Sequence, residues 1–437
     1  MDRFSAAGVL QNLQDAFHMK DSGPGLLHAV FATSYMRCSL AFGYIGDRWN
    51  RKYIMCAGIS FWSIMILCSS FIPNDYFLPL LLIKGLIGSG EASFSTIAPS
   101  IIADLFVAEQ RSHMLAIFYF VVPVGCGLGY IVGSKVTSAA GGDWHWAFRV
   151  TPGLGLLGVL LMVFFLKEPP RGATDRKKKL KLPSSNSWMS DVKKLFRNPS
   201  FMFSTLGITA VTFVVSALGL WGPSFLERAR NVLHEKEPCQ TAVCTNDDSL
   251  IFGAITVLSG ILGVVAGVEI SKRYKKVNPR ADPIVCACGM LISAPFLFLA
   301  HVFGTISLVA TYVFIFIAGT LLAFNWAIVT IILLYVVPPT RRATAQSMQI
   351  AVSNLLGVAG SPSLIGLISD LIRRGYAESD LLTYRSLEYA VMTCSFVVAI
   401  GGAFFLATAH FIEKDHEKAK TESEEKDHEK AKTESED

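Results

Sequence analysis

The stretch Gly43-Tyr-Ile-Gly46-Asp47-Arg48-Trp-Asn-Arg51-Lys52 decides how this chain is read. An apolar run of helix length enters it from Leu26, and another leaves it from Tyr53. The stretch is therefore a tight, charged hairpin between two membrane helices. Its glycines let the two backbones close up at the turn. Asp47 stands at the end of the first helix, where it caps or pairs. Arg48, Arg51 and Lys52 form a basic cluster of the kind that stays on the cytoplasmic side of a membrane.

A weaker copy lies about half a chain away. Gly267-Val-Glu-Ile-Ser271-Lys272-Arg-Tyr-Lys275-Lys276 keeps the leading glycine and the basic positions, with Ser271 in place of the aspartate. Two such hairpins predict a duplicated helical bundle, as in carriers built from two like halves. The pattern Gly-x-x-x-Asp-Arg-x-x-Arg-Lys also resembles the loop between the second and third helices of the major facilitator superfamily.

Composition agrees with a membrane bundle. The 437 residues are 52% hydrophobic and only 17% charged, with mean hydropathy +0.45, where soluble chains carry about 25% charged residues. The net charge of +5 matters less than where the charges stand. Most of the nine cysteines sit in apolar runs, where they act as small hydrophobes. Cys239 and Cys244 instead share a polar loop, and a disulfide between them is expected over two free thiols. No zinc, haem or nucleotide motif is present, so no cofactor, metal or nucleic-acid partner is expected.

A span needs about 20 apolar residues. Full spans are expected at about 27–47, 53–73, 77–104, 113–140, 147–166, 201–226, 250–271, 283–303, 306–336, 343–369 and 385–412. Residues 1–12 read as a fragment of one more, reaching a polar loop by Gln14. The chain then divides into an N-terminal helical half (1–166), a basic cytoplasmic linker (167–199), a C-terminal half (200–412) and a charged tail (413–437). The basic groups around Arg48, Lys177, Lys272 and Arg341 fall on alternate connections, which places those loops in the cytoplasm. Only Arg373 and Arg374 run against that trend. In the tail, 413–424 recurs verbatim as 425–436, and it reads as either a fraying helix or a disordered segment.

Charges inside spans are costly and mark function more often than not. Lys84 and Glu91 are two helical turns apart, so they share a face about 10.5 Å apart along the axis. They read as a proton or headgroup pair, with a structural pair as the alternative. Carboxylates withdrawn from water take up protons more readily. Gly85, Gly88 and Gly90 between them thin the helix for close packing. Asp2 and Arg3, adjacent and at the start, read from composition alone as a frayed charged end. Arg37 either lines a cavity or meets a neighbour, and Asn325 and Trp326 either line it or pack in the core. Asp104, Glu109 and Arg111 suggest a salt-linked cytoplasmic gate. Trp144, Trp146 and Arg149 read as an interfacial belt. No nucleophile, base and orienting group share a depth, so an enzyme is not expected.

Taken together, Met1-Asp-Arg-Phe, Phe42-Gly-Tyr-Ile-Gly-Asp-Arg, Gly88-Ser-Gly-Glu91-Ala-Ser-Phe-Ser-Thr-Ile-Ala-Pro99, Asp143-Trp-His-Trp-Ala-Phe-Arg149, Asp248-Ser-Leu-Ile-Phe-Gly253 and Gly360-Ser-Pro resemble the protein spinster family. The resemblance implies the major facilitator fold, two six-helix halves with the first helix here truncated. It also implies a proton-coupled carrier that moves lysophospholipids out of lysosomes. Close relatives export sphingosine-1-phosphate at the plasma membrane. Its first-helix Asp-Arg pair matches Asp2 and Arg3, which replaces the frayed-end reading, and its fourth-helix acid matches Glu91. The family's fourth-helix arginine is Lys84 here, which keeps the charge but loses the two-pronged fork.

Other positions depart from the family. Its tenth-helix glycine-glutamate is Ala318-Gly319, a later aspartate is Ile331, and an eleventh-helix histidine and aspartate are Asn354 and Val358. The resulting expectation is a lipid transporter with protons, membrane lipids and a lipid substrate as partners. Glu91 and Asp2 would couple to protons. Arg3, Lys84 and Arg37, with Asn325 and Trp326, would hold substrate, and Asp47, Arg48 and Arg51 would gate. The losses leave a non-transporting regulatory relative as an alternative, and fold alone leaves room for a carrier of unrelated small organic ions.

Overall fold

The computed structural model describes residues 2–46, 49–74, 76–106, 108–166, 188–233, 247–338, 342–377 and 379–436. Asp47, Arg48, Cys239 and Cys244 lie outside the described residues, as do the side chains of Asp104, Glu109 and Arg111. The described residues are helical throughout, with no strand among them.

Two short helices open the chain, α1 (Asp2–Gly8) and α2 (Leu10–Ala16). Then come α3 (Ser22–Gly46), α4 (Arg51–Ser69), α5 (Phe77–Leu105), α6 (Ala108–Ala139) and α7 (His145–Phe165). After the basic linker, α8 (Trp188–Phe196) leads into α9 (Pro199–Val232), α10 (Asp247–Lys275) and α11 (Ala281–Val302). The next span is broken at Phe324 into α12 (Leu308–Ala323) and α13 (Asn325–Val336). The following one runs from α14 (Arg342–Val352) through a π-helical segment (Ser353–Ala359) into α15 (Gly360–Arg373), and α16 (Asp380–Glu436) closes the chain.

Nine helices among the described residues are long and apolar enough to cross a membrane. Eleven spans were expected. The two outside the nine, α3 and α6, have the length, and α3 is diluted by His28, Arg37 and its serines and threonines. Local chemistry sets several starts. The Asn50 side chain accepts the Tyr53 N–H to begin α4, and Asn198 accepts the Phe201 N–H ahead of Pro199 to begin α9. Prolines 99, 123, 152, 223 and 295 lie inside helices, which membrane bundles tolerate because neighbouring groups re-satisfy the freed backbone.

Lipid offers no hydrophobic drive between helices, so close backbone approach and polar contacts must hold them. Within the first seven helices, α3 and α4 pack on α5, α4 on α7, and α1 on α6. In the later set, α9 and α11 pack on α16. The two sets meet where α6 crosses α10 and α3 crosses α15. At the α6–α10 crossing, a Cβ on Gly127 would lie 2.6 Å from the Gly253 carbonyl oxygen, so the contact demands glycine. Large apolar side chains face outward on α7, among them Leu156, Leu160 and Phe164, as expected of a surface solvated by hydrocarbon.

Three sequence expectations change. Gln14 is not in a loop: it sits in α2, buried, and its amide donates to Asp21 at 2.9 Å. Trp144 is not interfacial, because it is 3% exposed against Phe17 and Phe148, while Trp146 stays outside with Arg149 over its ring. The tail is a continuous extension of α16, and its first copy is docked. Asp415 accepts the Ser200 N–H at 3.0 Å, His416 stacks on Tyr335 at 3.6 Å, and Glu413 pairs with Arg280.

Candidate functional site

Four charged side chains reach one another across the space between α1 and α5. Arg3 donates from Nη2 to Glu91 Oε1 at 2.9 Å. Lys84 Nζ lies 3.8 Å from Asp2 Oδ2. Adjacent residues on a helix point about 100° apart, so Asp2 and Arg3 reach partners two turns apart on α5. The spacing of Lys84 and Glu91 thus suits two separate pairs better than one.

Glycine makes the approach feasible. A Cβ on Gly88, midway between Lys84 and Glu91, would stand 2.4 Å from the Phe31 carbonyl oxygen of α3. On the other side α1 is pressed to α6, where a Cβ on Gly133 would stand 2.6 Å from the Ser5 carbonyl oxygen. Phe4 meets Tyr130 edge-on at 5.3 Å, and the Tyr130 hydroxyl donates to the Gly219 carbonyl of α9.

Aromatic rings carry both cations. The Arg3 guanidinium lies 4.1 Å from the Phe31 centroid and 5.2 Å from that of Tyr35. Lys84 Nζ lies 4.5 Å above Phe148 of α7. Each such contact contributes about 0.5–2 kcal/mol depending on desolvation. The pairs differ in wetness. Asp2 and Lys84 keep 2% and 8% side-chain exposure, while Glu91 and Arg3 keep 20% and 24%. The first pair is built into the bundle and the second is only part-buried. Asp2 Oδ1, Arg3 Nε and His28 Nε2 are buried without a hydrogen-bond partner among the described residues. Similar atoms occur elsewhere in the bundle, Trp62 Nε1 and Ser395 Oγ among them, but here three lie beside the charged pairs.

The remaining sequence candidates are not gathered here. Arg37 lies nine residues beyond His28, about half a turn around α3 from the His28–Phe31–Tyr35 row at about 100° per residue. Asn325 is fully buried and returns its amide to the Leu322 carbonyl at 2.9 Å. Trp326 is exposed, in line with Thr330 and Leu334. Arg51 is buried at the start of α4.

A second polar centre, which the sequence did not single out, lies at the end of the bundle opposite the basic loops. Asp21, fully buried between α2 and α3, accepts from Arg228 of α9 at 2.6 and 2.9 Å. It also accepts from Ser369 at 2.7 Å and pairs with Arg373 at 3.0 Å, both on α15. Asp370 accepts the backbone N–H groups of Asp21 and Ser22 at 3.0 and 2.8 Å. The first-half helices are thereby tied to α9 and α15. Burial alone would raise the Asp21 carboxyl, but the Arg228 hydrogen bonds and charge, with Arg373 and Ser369, outweigh it and hold the pKa down to about 2.

The echo hairpin also finds its acid. Ser271 donates to Asp282 of α11, and Lys275 pairs with the same carboxylate at 2.6 Å. The aspartate missing from position 271 is supplied from the next helix.

The model of the Major Facilitator Superfamily matches residues 1–362. Protein spinster homolog 1 of Xenopus tropicalis is 62% identical over 424 residues, covering 97% of this chain and 80% of that protein. The Homo sapiens protein of that name is 59% identical over 421 residues, covering 96% and 80%. The sphingosine-1-phosphate transporter SPNS2 of Mus musculus is 51% identical over 422 residues, covering 97% and 76%. Among solved structures, a bacterial homolog to human lysosomal transporter spinster, inward-facing and unoccupied, superposes with a TM-score of 0.81 at 21% identity, covering 95% of this chain and 94% of that one.

Proposed function

This chain belongs to the spinster family of the major facilitator superfamily, a family of membrane transporters and not of enzymes, and we propose that it carries lysophospholipids across the lysosomal membrane to the cytosol, driven by protons. The observation that supports this most is the Arg3–Glu91 pair, which is only part-buried, with Arg3 resting on Phe31 and Tyr35. While Glu91 is ionised, it occupies Arg3. A proton on Glu91 removes that charge and frees the guanidinium for a lipid phosphate, which it matches in shape and charge. Lys84 adds a point charge beside it, paired with Asp2, which would serve as a second proton site. Apolar walls take the acyl chain. Proton release to the cytoplasmic side restores the Arg3–Glu91 pair and expels the headgroup.

Alternating access then requires the two helix sets to rock about this site. The Asp21–Arg228–Arg373 centre closes the non-cytoplasmic end, in keeping with the inward-facing state of the bacterial relative. The cytoplasmic hairpin, with Asp47, Arg48 and Arg51, closes the other end in turn.

The likeness to a sphingosine-1-phosphate transporter favours a second substrate of the same chemistry, a single-chain lipid phosphate. Transport of labelled lysophosphatidylcholine and of sphingosine-1-phosphate across proteoliposome membranes, with and without an acidic donor side, separates the readings. Gradient-dependent movement of the first lipid alone supports the lysosomal carrier. Movement of the second alone supports an exporter. Movement of neither, from a folded and monodisperse sample, supports a regulatory relative. Glu91→Gln with an unaltered pH dependence would remove Glu91 from the coupling.

A further inference from the structure

Three rings share one face of α3. His28, Phe31 and Tyr35 are spaced three and four residues apart, with centroids 6.5 Å and 6.4 Å from one to the next. Two of the three are accounted for. Phe31 and Tyr35 carry the Arg3 guanidinium, and the Tyr35 hydroxyl is hydrogen-bonded to Ser95 at 2.9 Å.

His28 has no such role. Its ring is half-buried, its Nε2 is shut off from solvent without a partner among the described residues, and its charged neighbours are Arg3 and Lys84. Two other histidines bond through the ring, whereas His301, packed on Phe225 away from the charged pairs, also keeps a ring nitrogen without a partner among the described residues. His145 meets Asp143 and the Ile72 carbonyl, and His416 meets the Tyr335 carbonyl.

Position adds to this. His28 lies three residues, about 4.5 Å along the axis, from Phe31 toward the Asp21 end of α3. It therefore borders the Arg3 platform on the side facing the latch. In a 1-acyl lysoglycerophospholipid, the carbon next to the phosphate ester carbon carries a free hydroxyl. With the phosphate on Arg3 and Lys84, that hydroxyl falls within one helical turn of the platform, where His28 stands.

We propose that His28 determines specificity: its imidazole hydrogen-bonds the free hydroxyl beside the phosphate ester, so that the site selects lysolipids over lipids in which this hydroxyl is absent or acylated. The assignment rests on the lipid-carrier reading above. A neutral hydrogen bond of this kind is worth roughly five- to tenfold in selectivity.

The test compares transport of lysophosphatidylcholine with its 2-deoxy analogue, which keeps the phosphocholine and acyl chain but lacks the hydroxyl. The full chain is used, with His28→Gln and His28→Leu alongside. The natural chain is expected to prefer the hydroxyl lipid roughly five- to tenfold, with the difference in KM. His28→Gln, which retains a hydrogen-bonding side chain, keeps most of the preference. His28→Leu brings the ratio to about one by losing the preference for the hydroxyl lipid.

Equal transport of the two lipids by the natural chain overturns the assignment and leaves the carrier reading intact, and this comparison needs no variant to fold. A preference kept in His28→Leu also overturns it. If the natural chain moves neither lipid, the carrier reading and the assignment fall together.

Discussion

The helices before the linker and those after it handle charge differently. In the first set, four charged groups sit in the interior, paired as Arg3–Glu91 and Lys84–Asp2. In the second set, the corresponding family positions are Ala318, Gly319, Ile331, Asn354 and Val358, and the acids Asp248 and Asp282 stand near helix ends with Arg230 and Lys275. Its interior is filled by large apolar side chains such as Trp221, Phe201, Phe405 and Met290. The difference teaches that a two-set bundle does not need chemistry on both sides of its cavity. In the carrier proposed above, one set would hold the headgroup and the proton, and the other would serve as a wall for hydrocarbon.

The comparison breaks most directly at Lys84. Lys84→Met leaves Asp2 buried and unpaired, at a cost of about 3–5 kcal/mol, and transport should fall by at least a hundredfold while helical content is retained. If proteoliposome flux survives, the inner charges are not the site. Asp21→Asn comes next. It strips Arg228 of its main partner, destabilises the closed end by about 3 kcal/mol, and should raise labelling of a cysteine placed at Ser363 by tenfold or more.

The pH behaviour of that centre has a definite sign. The folded Asp21 carboxyl titrates near 2, below its ordinary value of 3.8. Its contribution is therefore complete above about pH 4 and fades only as pH falls toward 2. Labelling of the Ser363 cysteine should be the same at pH 4.5 and 7.5, and a strong change across that range would mean that another group works the latch. Asp282→Ala tests the wall side. It deprives Ser271 and Lys275 of their shared acceptor and should lower Tm by a few degrees, about 1–2 kcal/mol, with little effect on KM. The smallest effect is expected of Lys84→Arg, which restores a fork for phosphate and should lower KM two- to fivefold, about 0.5–1 kcal/mol.

Much of this was legible before any coordinates. The Gly43–Lys52 hairpin and the placement of basic residues announced a two-part bundle, because apolar length and loop charge act locally. Lys84 and Glu91 were visible as intramembrane charges on one face. Their partners were not, since nothing in a seven-residue start distinguishes a frayed end from a packed helix, and only family resemblance picked out Asp2 and Arg3. The Asp21 centre was hidden for a related reason. Asp21, Arg228 and Arg373 are far apart in sequence, and each looks like an ordinary residue at a helix end. Gln14 was misread because a polar residue in a short segment signals a loop unless its buried partner is known. Arg37 and Trp326 stand out in sequence as unusual residues in apolar runs, and both are exposed rather than gathered with the Arg3–Glu91 and Lys84–Asp2 pairs.

The last helix has a mechanical consequence. It runs unbroken from Asp380 to Glu436, and its docked stretch ties it to α9, α11 and α13. About 24 residues beyond the span add roughly 36 Å of rod. The rod moves with the second helix set, so each degree of rocking swings its tip by about 0.6 Å at that length. The chain thus carries its own pointer, and a dye pair spanning the tip and the first hairpin would turn an inward tilt of the membrane helices into a distance read in real time.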